Sequence, residues 1–141
     1  RAGAPSARAR VVRRDSAVAG TPGGGGMVGK TIADAVGDAD VVITMLPNGA
    51  ILRQVADEAI ANMVPGALLV DCSTVDVESA RHVAEEAKKH SLLFVDAPVS
   101  GGIGGAQGGT LTFMCGGSEA AFEKAEPLFD IIGQKPSLKH I

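Results

Sequence analysis

The sequence predicts an α/β fold in which a parallel sheet is flanked by helices. Three observations carry this. Three short apolar runs, DVVITML at 40–46, ALLVD at 67–71 and LLFVD at 92–96, stop at Asp or at a turn and read as buried strands. The segments between them repeat apolar residues at helical spacing. Strand, helix, strand, helix, strand is the pattern of parallel strands joined by right-handed crossovers.

A chain of 141 residues suits one domain with one sizeable core. Hydrophobic residues at 45% against 21% charged make it globular rather than disordered. Aromatics at 3%, without Trp or Tyr, and a net charge of −3 exclude a base-stacking or basic nucleic-acid surface. Cys72 and Cys115 are too few for a disulfide framework, which points to a reducing compartment. No apolar run approaches a membrane span, so no membrane partner is expected.

Residues 1–26 differ from the rest. Arg1, Arg8, Arg10, Arg13 and Arg14 precede the first acid, Asp15, and no period is visible. They read as a disordered or leader-like segment, similar to the tail of a mitochondrial transit peptide. Gly24–Thr31 satisfies the phosphate-loop pattern G-x-x-x-x-G-K-T, and Gly24, Gly26 and Gly29 satisfy G-x-G-x-x-G. Both loops need a hydrophobic strand immediately before them, and Ser16–Pro22 is short and broken. Lys30 is therefore not expected to bind phosphate.

From Thr31 the pattern settles. Thr31 to Val36 reads as a short helix stopped by Gly37. The first strand, 40–46, ends in the turn Pro47-Asn48-Gly49. The next helix, 51–63, carries Ile51, Val55, Ala59, Ile60 and Met63 as its stripe and stops at Pro65-Gly66. After the strand at 67–71, Asp76 caps a helix through Lys89 whose inner stripe is Val77, Ala80, Val83, Ala84 and Ala87. Lys88, Lys89 and His90 suit its carboxyl end. The third strand, 92–96, opens onto a run with Gly101, Gly102, Gly104, Gly105, Gly108 and Gly109, which reads as a long connection to a further apolar run, 111–115. Ser118 caps a last helix, through about Asp130, that Pro127 should kink.

Taken alone, Leu46-Pro47 is a strand stop and Asp71-Cys72-Ser73-Thr74 a helix entry rich in capping residues. Cys72 suits a small apolar filler. His82, His90 and His140 have no metal-ligand spacing between them, so no metal is expected. Asp71 and Asp96 each end a strand and suit capping of the following turn; as a pair they could also mimic a Mg²⁺ site.

The stretch DAPVSGG at 96–102, followed by Ala106, Gly109, Leu111, Met114 and Gly116-Gly117, resembles the β-hydroxyacid dehydrogenases, 3-hydroxyisobutyrate dehydrogenases among them. The resemblance runs from about Asp38 to Lys135 and includes the M-L-P and D-x-S-T motifs. It implies a partial Rossmann-type sheet over 27–135, without the first βαβ unit or the C-terminal helical domain, and a divergent tail at 136–141. It implies substrate-carboxylate binding by Ser100, Gly101 and Gly102. Leu46, Pro47 and Thr74 would lie along the cofactor, NAD or NADP. The implied reaction is hydride transfer between NAD(P) and a small 3-hydroxy acid, as in valine catabolism. A homo-oligomer is implied for the full-length protein, in the mitochondrial matrix if eukaryotic and otherwise in the cytoplasm. Oxidising a hydroxyl needs a base. The family's lysine in G-x-G-x-x-x-K has no match here, so no catalytic residue is assigned. The alternatives are a truncated binding fragment without catalysis and a phosphate-loop nucleotidase using Gly24–Thr31.

Overall fold

The computed structural model describes residues 10–11, 27–132 and 137–138. Two short strands, β1 (Arg10–Val11) and β2 (Met27–Val28), pair in parallel. The rest of residues 1–26, set apart above as leader-like, lies outside the described residues. Helix α1 (Ile32–Val36) begins at Thr31, whose hydroxyl accepts from Asp34 N–H at 3.1 Å. Then follow β3 (Val41–Thr44), α2 (Gly49–Asn62), β4 (Leu68–Asp71), α3 (Val77–Lys89) and β5 (Leu93–Asp96). As the apolar runs predict, β3, β4 and β5 are parallel neighbours, with Thr44, Asp71 and Asp96 level across the sheet.

Beyond β5 the structure departs from an all-parallel sheet. A short strand β6 (Val99–Ser100), a helix α4 (Gly102–Gly108) and a strand β7 (Thr112–Gly117) come next. β7 runs antiparallel to both β5 and β6, pairing Val95 with Gly117, Asp96 with Gly116, Val99 with Phe113 and Ser100 with Thr112. The register does not shift between the two pairings, and Met114 N–H donates to the Pro98 carbonyl at 3.1 Å between them. β6 is therefore the continuation of β5 past Pro98, which lacks the N–H a ladder needs. The glycine-rich run, expected as a long connection, is a helix that closes this hairpin. The final elements are α5 (Glu119–Ile132) and β8 (Ser137–Leu138), which pairs in parallel with β7. The sheet is thus mixed.

Alternation along the strands divides the core into two clusters. Leu69 and Phe94 face α1, α2 and α3 and pack with Leu52, Ala56, Ala59, Ile60, Val83 and Ala87. Leu68, Val70 and Val95 face α5 and pack with Phe113, Cys115, Ala121, Ala125 and Phe129. The rings of Phe113 and Phe129 meet at 4.7 Å.

Two predicted stripes are borne out in part. On α2, Ala59, Ile60 and Met63 of the predicted stripe are buried, but its first turns bury Leu52 and Ala56, with Ile51 and Val55 at the flank. On α3 the buried line is Ser79, Val83 and Ala87, and Val77 is 66% exposed. Ser79 is held inward because its N–H and O–H both donate to Asp76, at 2.8 Å each, closing the N-terminal cap. Pro127 does not end α5. It lies on the exposed face, as does Glu123 four residues back, whose carbonyl loses its helical donor to the proline ring.

Candidate functional site

The three motifs come together because parallel strands point their carboxyl ends the same way. Leu46-Pro47 follows β3, Asp71–Thr74 ends β4, and Asp96–Gly102 leaves β5, all beyond one edge of the sheet. In an open α/β sheet this edge is where ligands bind.

The first two turns are bonded to each other. Asp71 is fully buried, and its Oδ1 accepts from Thr44 O–H at 2.7 Å, Ser73 O–H at 2.6 Å and Ser73 N–H at 3.2 Å. Ser73 Oγ in turn accepts from Leu46 N–H at 2.8 Å. A buried carboxylate with several donors is a strong anchor, since bonds to a charged acceptor exceed neutral ones. The anchor holds Leu46 against the turn bearing Thr74. Pro47 and Thr74 are exposed, and Leu46 is half-buried. Gly49, which starts α2, lets that helix end pack directly on the α3 cap: a Cβ there would overlap the Ser79 hydroxyl and the Asp76 carboxylate. The tie through Ser73 and the contact at Gly49 escape sequence reading. A small residue directly after Pro47-Asn48 was the one available signal for the second.

Ser100, Gly101 and Gly102 are exposed and make the turn from extended strand into α4. Gly101 has φ 129° and Gly102 φ 59°. A Cβ on Gly101 would also come within 3.3 Å of Leu111, whereas Gly102 has open space. Among the described residues no hydrogen bond joins this turn to the Leu46 or Thr74 turns. Ser100 stands four residues beyond the Asp71–Asp96 level, roughly 13 Å along an extended chain.

Burial, then repulsion from Asp71, pushes Asp96 up to about 6. Burial and the neighbouring Asp71 charge push the Cys72 thiol up to about 12, and burial with Asp96 pushes Cys115 to about 11. Desolvated thiols of this kind are fillers, not nucleophiles. Among the described residues no three His, Cys, Asp or Glu side chains group as metal ligands. Asp71 caps its own turn, its Oδ1 accepting from Ser73 N–H. His82 Nε2 meets Asp57 Oδ1 at 3.0 Å on the surface, and the His90 N–H closes α3. Of the glycine pattern before Lys30, Gly24 to Gly26 lie outside the described residues. The strand at Met27–Val28 follows those glycines instead of preceding them, and the Thr31 hydroxyl is engaged as a helix cap. Among the described residues no helix is long and apolar enough to cross a membrane.

Residues 8–140 match the family described as the NAD binding domain of 6-phosphogluconate dehydrogenase. The chain is 45% identical over 124 residues to the NAD-dependent L-serine dehydrogenase of Pseudomonas aeruginosa, covering 84% of this chain and 41% of that protein. It is 45% identical over 113 residues to the "Probable 3-hydroxyisobutyrate dehydrogenase, mitochondrial" of Dictyostelium discoideum, covering 78% of this chain and 35% of that protein. The solved structure of Mycobacterium tuberculosis 3-hydroxyisobutyrate dehydrogenase with L-serine superposes with a TM-score of 0.77 at 41% identity, over 80% of this chain and 39% of that one. The chain thus spans about two fifths of the length of the relatives it matches. Strand order, motif placement and similarity agree: this chain belongs to the NAD-binding domain family of 6-phosphogluconate dehydrogenase and the β-hydroxyacid dehydrogenases, with 3-hydroxyisobutyrate dehydrogenases among its homologues.

Proposed function

We propose that this chain forms the part of an NAD(P)-dependent 3-hydroxy acid dehydrogenase that carries the nicotinamide side of the cofactor cleft and the wall for the substrate carboxylate. The observation that carries this is the convergence of three motif turns at one sheet edge, two of them bonded through Asp71 and Ser73. Leu46, Pro47 and Thr74 would line the dinucleotide, with the Thr74 hydroxyl as the polar contact. The anchored, exposed turn fits such a role, because a preformed wall loses little entropy on binding. Bound there, NAD or NADP supplies the hydride acceptor for oxidation or the donor for reduction.

Ser100, Gly101 and Gly102 would hold the acid. Without side chains on the glycines the peptide N–H groups can approach an anion, and the Ser100 hydroxyl adds a donor. The similarity to proteins named for L-serine and for 3-hydroxyisobutyrate supports a 3-hydroxy acid, since both compounds carry a carboxylate and a hydroxyl on the third carbon. The general base for the hydroxyl proton is not assigned to this chain. The same reading places a homo-oligomeric full-length protein in the mitochondrial matrix in a eukaryote, in keeping with the name of the Dictyostelium relative, and in the cytoplasm otherwise.

The test separates the two walls in a full-length relative that carries these motifs. There, Thr74→Ala should weaken dinucleotide binding several-fold. Gly102→Ala should raise KM for the hydroxy acid by about tenfold and leave dinucleotide affinity unchanged. The opposite pattern would reverse the assignment of the two turns.

A further inference from the structure

Asp71 and Asp96 are cross-strand partners in the parallel β4–β5 ladder, so both side chains leave the same face of the sheet. Each has one buried oxygen without a partner, Oδ2 on Asp71 and Oδ1 on Asp96. Two ionised carboxylates are acceptors only, and side by side they repel. A single proton settles both orphans, because a protonated carboxyl is a donor. Asp96 is the group to carry it. Asp71 already accepts on its Oδ1 from Thr44 O–H, Ser73 N–H and Ser73 O–H, the arrangement of an acceptor, whereas Asp96 Oδ1 has no donor directed at it.

We propose that Asp71 and Asp96 share one proton, held by Asp96 and donated to Asp71 Oδ2, and that this bond fastens the strand end leading to Ser100–Gly102 to the strand end leading to Thr74. Both aspartates are then positioning residues. That the fastened ends are cofactor and substrate walls rests on the function proposed above; the shared proton does not.

Burial and the Asp71 charge raise Asp96 to about 6. The other titratable groups coupled to it are thiols, Cys115 on β7 and Cys72 just after β4, which stay uncharged well above neutrality. No Lys, Arg or His among the described residues offsets the Asp71 charge at Asp96. Because the folded value lies above the unfolded one, the bond is complete at low pH and is lost as pH rises through about 6. Between pH 5 and 8 the folding equilibrium constant should fall by no more than about tenfold, the full effect of a folded value of about 6, with solvent at the partly exposed carboxyl screening it further.

The test is a carbon-13 titration of the carboxyl groups in the whole chain, with amide hydrogen exchange at several pH values. Asp96 should titrate near pH 6. Protection of the amides at 72–74, 97 and 99–102 should drop above that pH, beyond the change in intrinsic exchange rate. In Asp96→Asn, whose amide donates at every pH, both the drop and the stability difference should vanish. Asp96 titrating below about 4.5, or the same pH slope in Asp96→Asn, would overturn the shared proton. If the variant fails to fold, the wild-type titration decides alone. Reversal of the two wall assignments in the full-length relative would sink the functional reading and leave the titration intact.

Discussion

Ser73→Ala should be among the most costly single-atom deletions in this chain. Ser73 is 2% exposed, and its hydroxyl makes two bonds at once: it donates to Asp71 Oδ1 at 2.6 Å and accepts from Leu46 N–H at 2.8 Å. Removing it leaves the Leu46 N–H without its acceptor, a loss of about 1–3 kcal/mol. It also removes a donor from a buried carboxylate that retains Thr44 O–H and the Ser73 N–H, so only part of a charge-assisted bond of about 1.5–3 kcal/mol is lost. Together these come to roughly 2–4 kcal/mol, a large share of the 5–15 kcal/mol typical of a domain. For a chain of this size that is a fall in Tm of roughly 6–16 °C. Urea unfolding should show a lower midpoint with an unchanged slope. Thr74→Ala, one residue on and exposed, is the control and should stay within about 0.5 kcal/mol of wild type. Equal effects at the two positions, or a Ser73→Ala chain as stable as wild type, would refute the idea that Asp71 and Ser73 anchor the Leu46 turn.

Three further outcomes follow from the same structure. Gly101→Ala should destabilise more than Gly102→Ala in denaturant titrations, by about 1–3 kcal/mol against about 1–2 kcal/mol, because φ 129° suits glycine alone and a Cβ there also crowds Leu111. Val83→Ala should cost about 2–3 kcal/mol and Val77→Ala less than about 0.5 kcal/mol, since Val83 is fully buried and Val77 is 66% exposed; equal costs would restore the stripe read from the sequence. Cys72 and Cys115, raised to about 12 and 11, should resist alkylation at pH 8 in the native chain and react at ordinary rates in urea, which mass spectrometry can follow.

The sequence by itself determined the parallel half of the sheet. β4 is buried along its whole length and β5 is paired on both sides, so both read as continuous apolar runs; β3 reads the same way although it is the edge strand, with Val41 and Ile43 exposed, and the ends of all three are marked by residues that cannot continue a strand. Asp76 and Ser118 are legible as caps because capping depends on the local chain alone. The motif residues Leu46, Pro47, Thr74 and Ser100–Gly102 were likewise legible, as words at strand ends. Tertiary structure decided what lies between elements. Helix α4 contradicts the low helix propensity of its glycines: both its ends are held by the β5–β6 line and β7, which supplies the ordering that local sequence does not. The antiparallel direction of β7 is invisible in an apolar run, since direction is set by pairing. The α2 and α3 stripes were misread in part because apolar residues flank the true line on both sides, and only the sheet surface selects which of them face inward. The Asp71–Asp96 pair belongs to the same class. Each aspartate is a plain strand end in sequence, and two residues 25 positions apart become cross-strand neighbours, each with an orphaned oxygen, only through the register of the ladder.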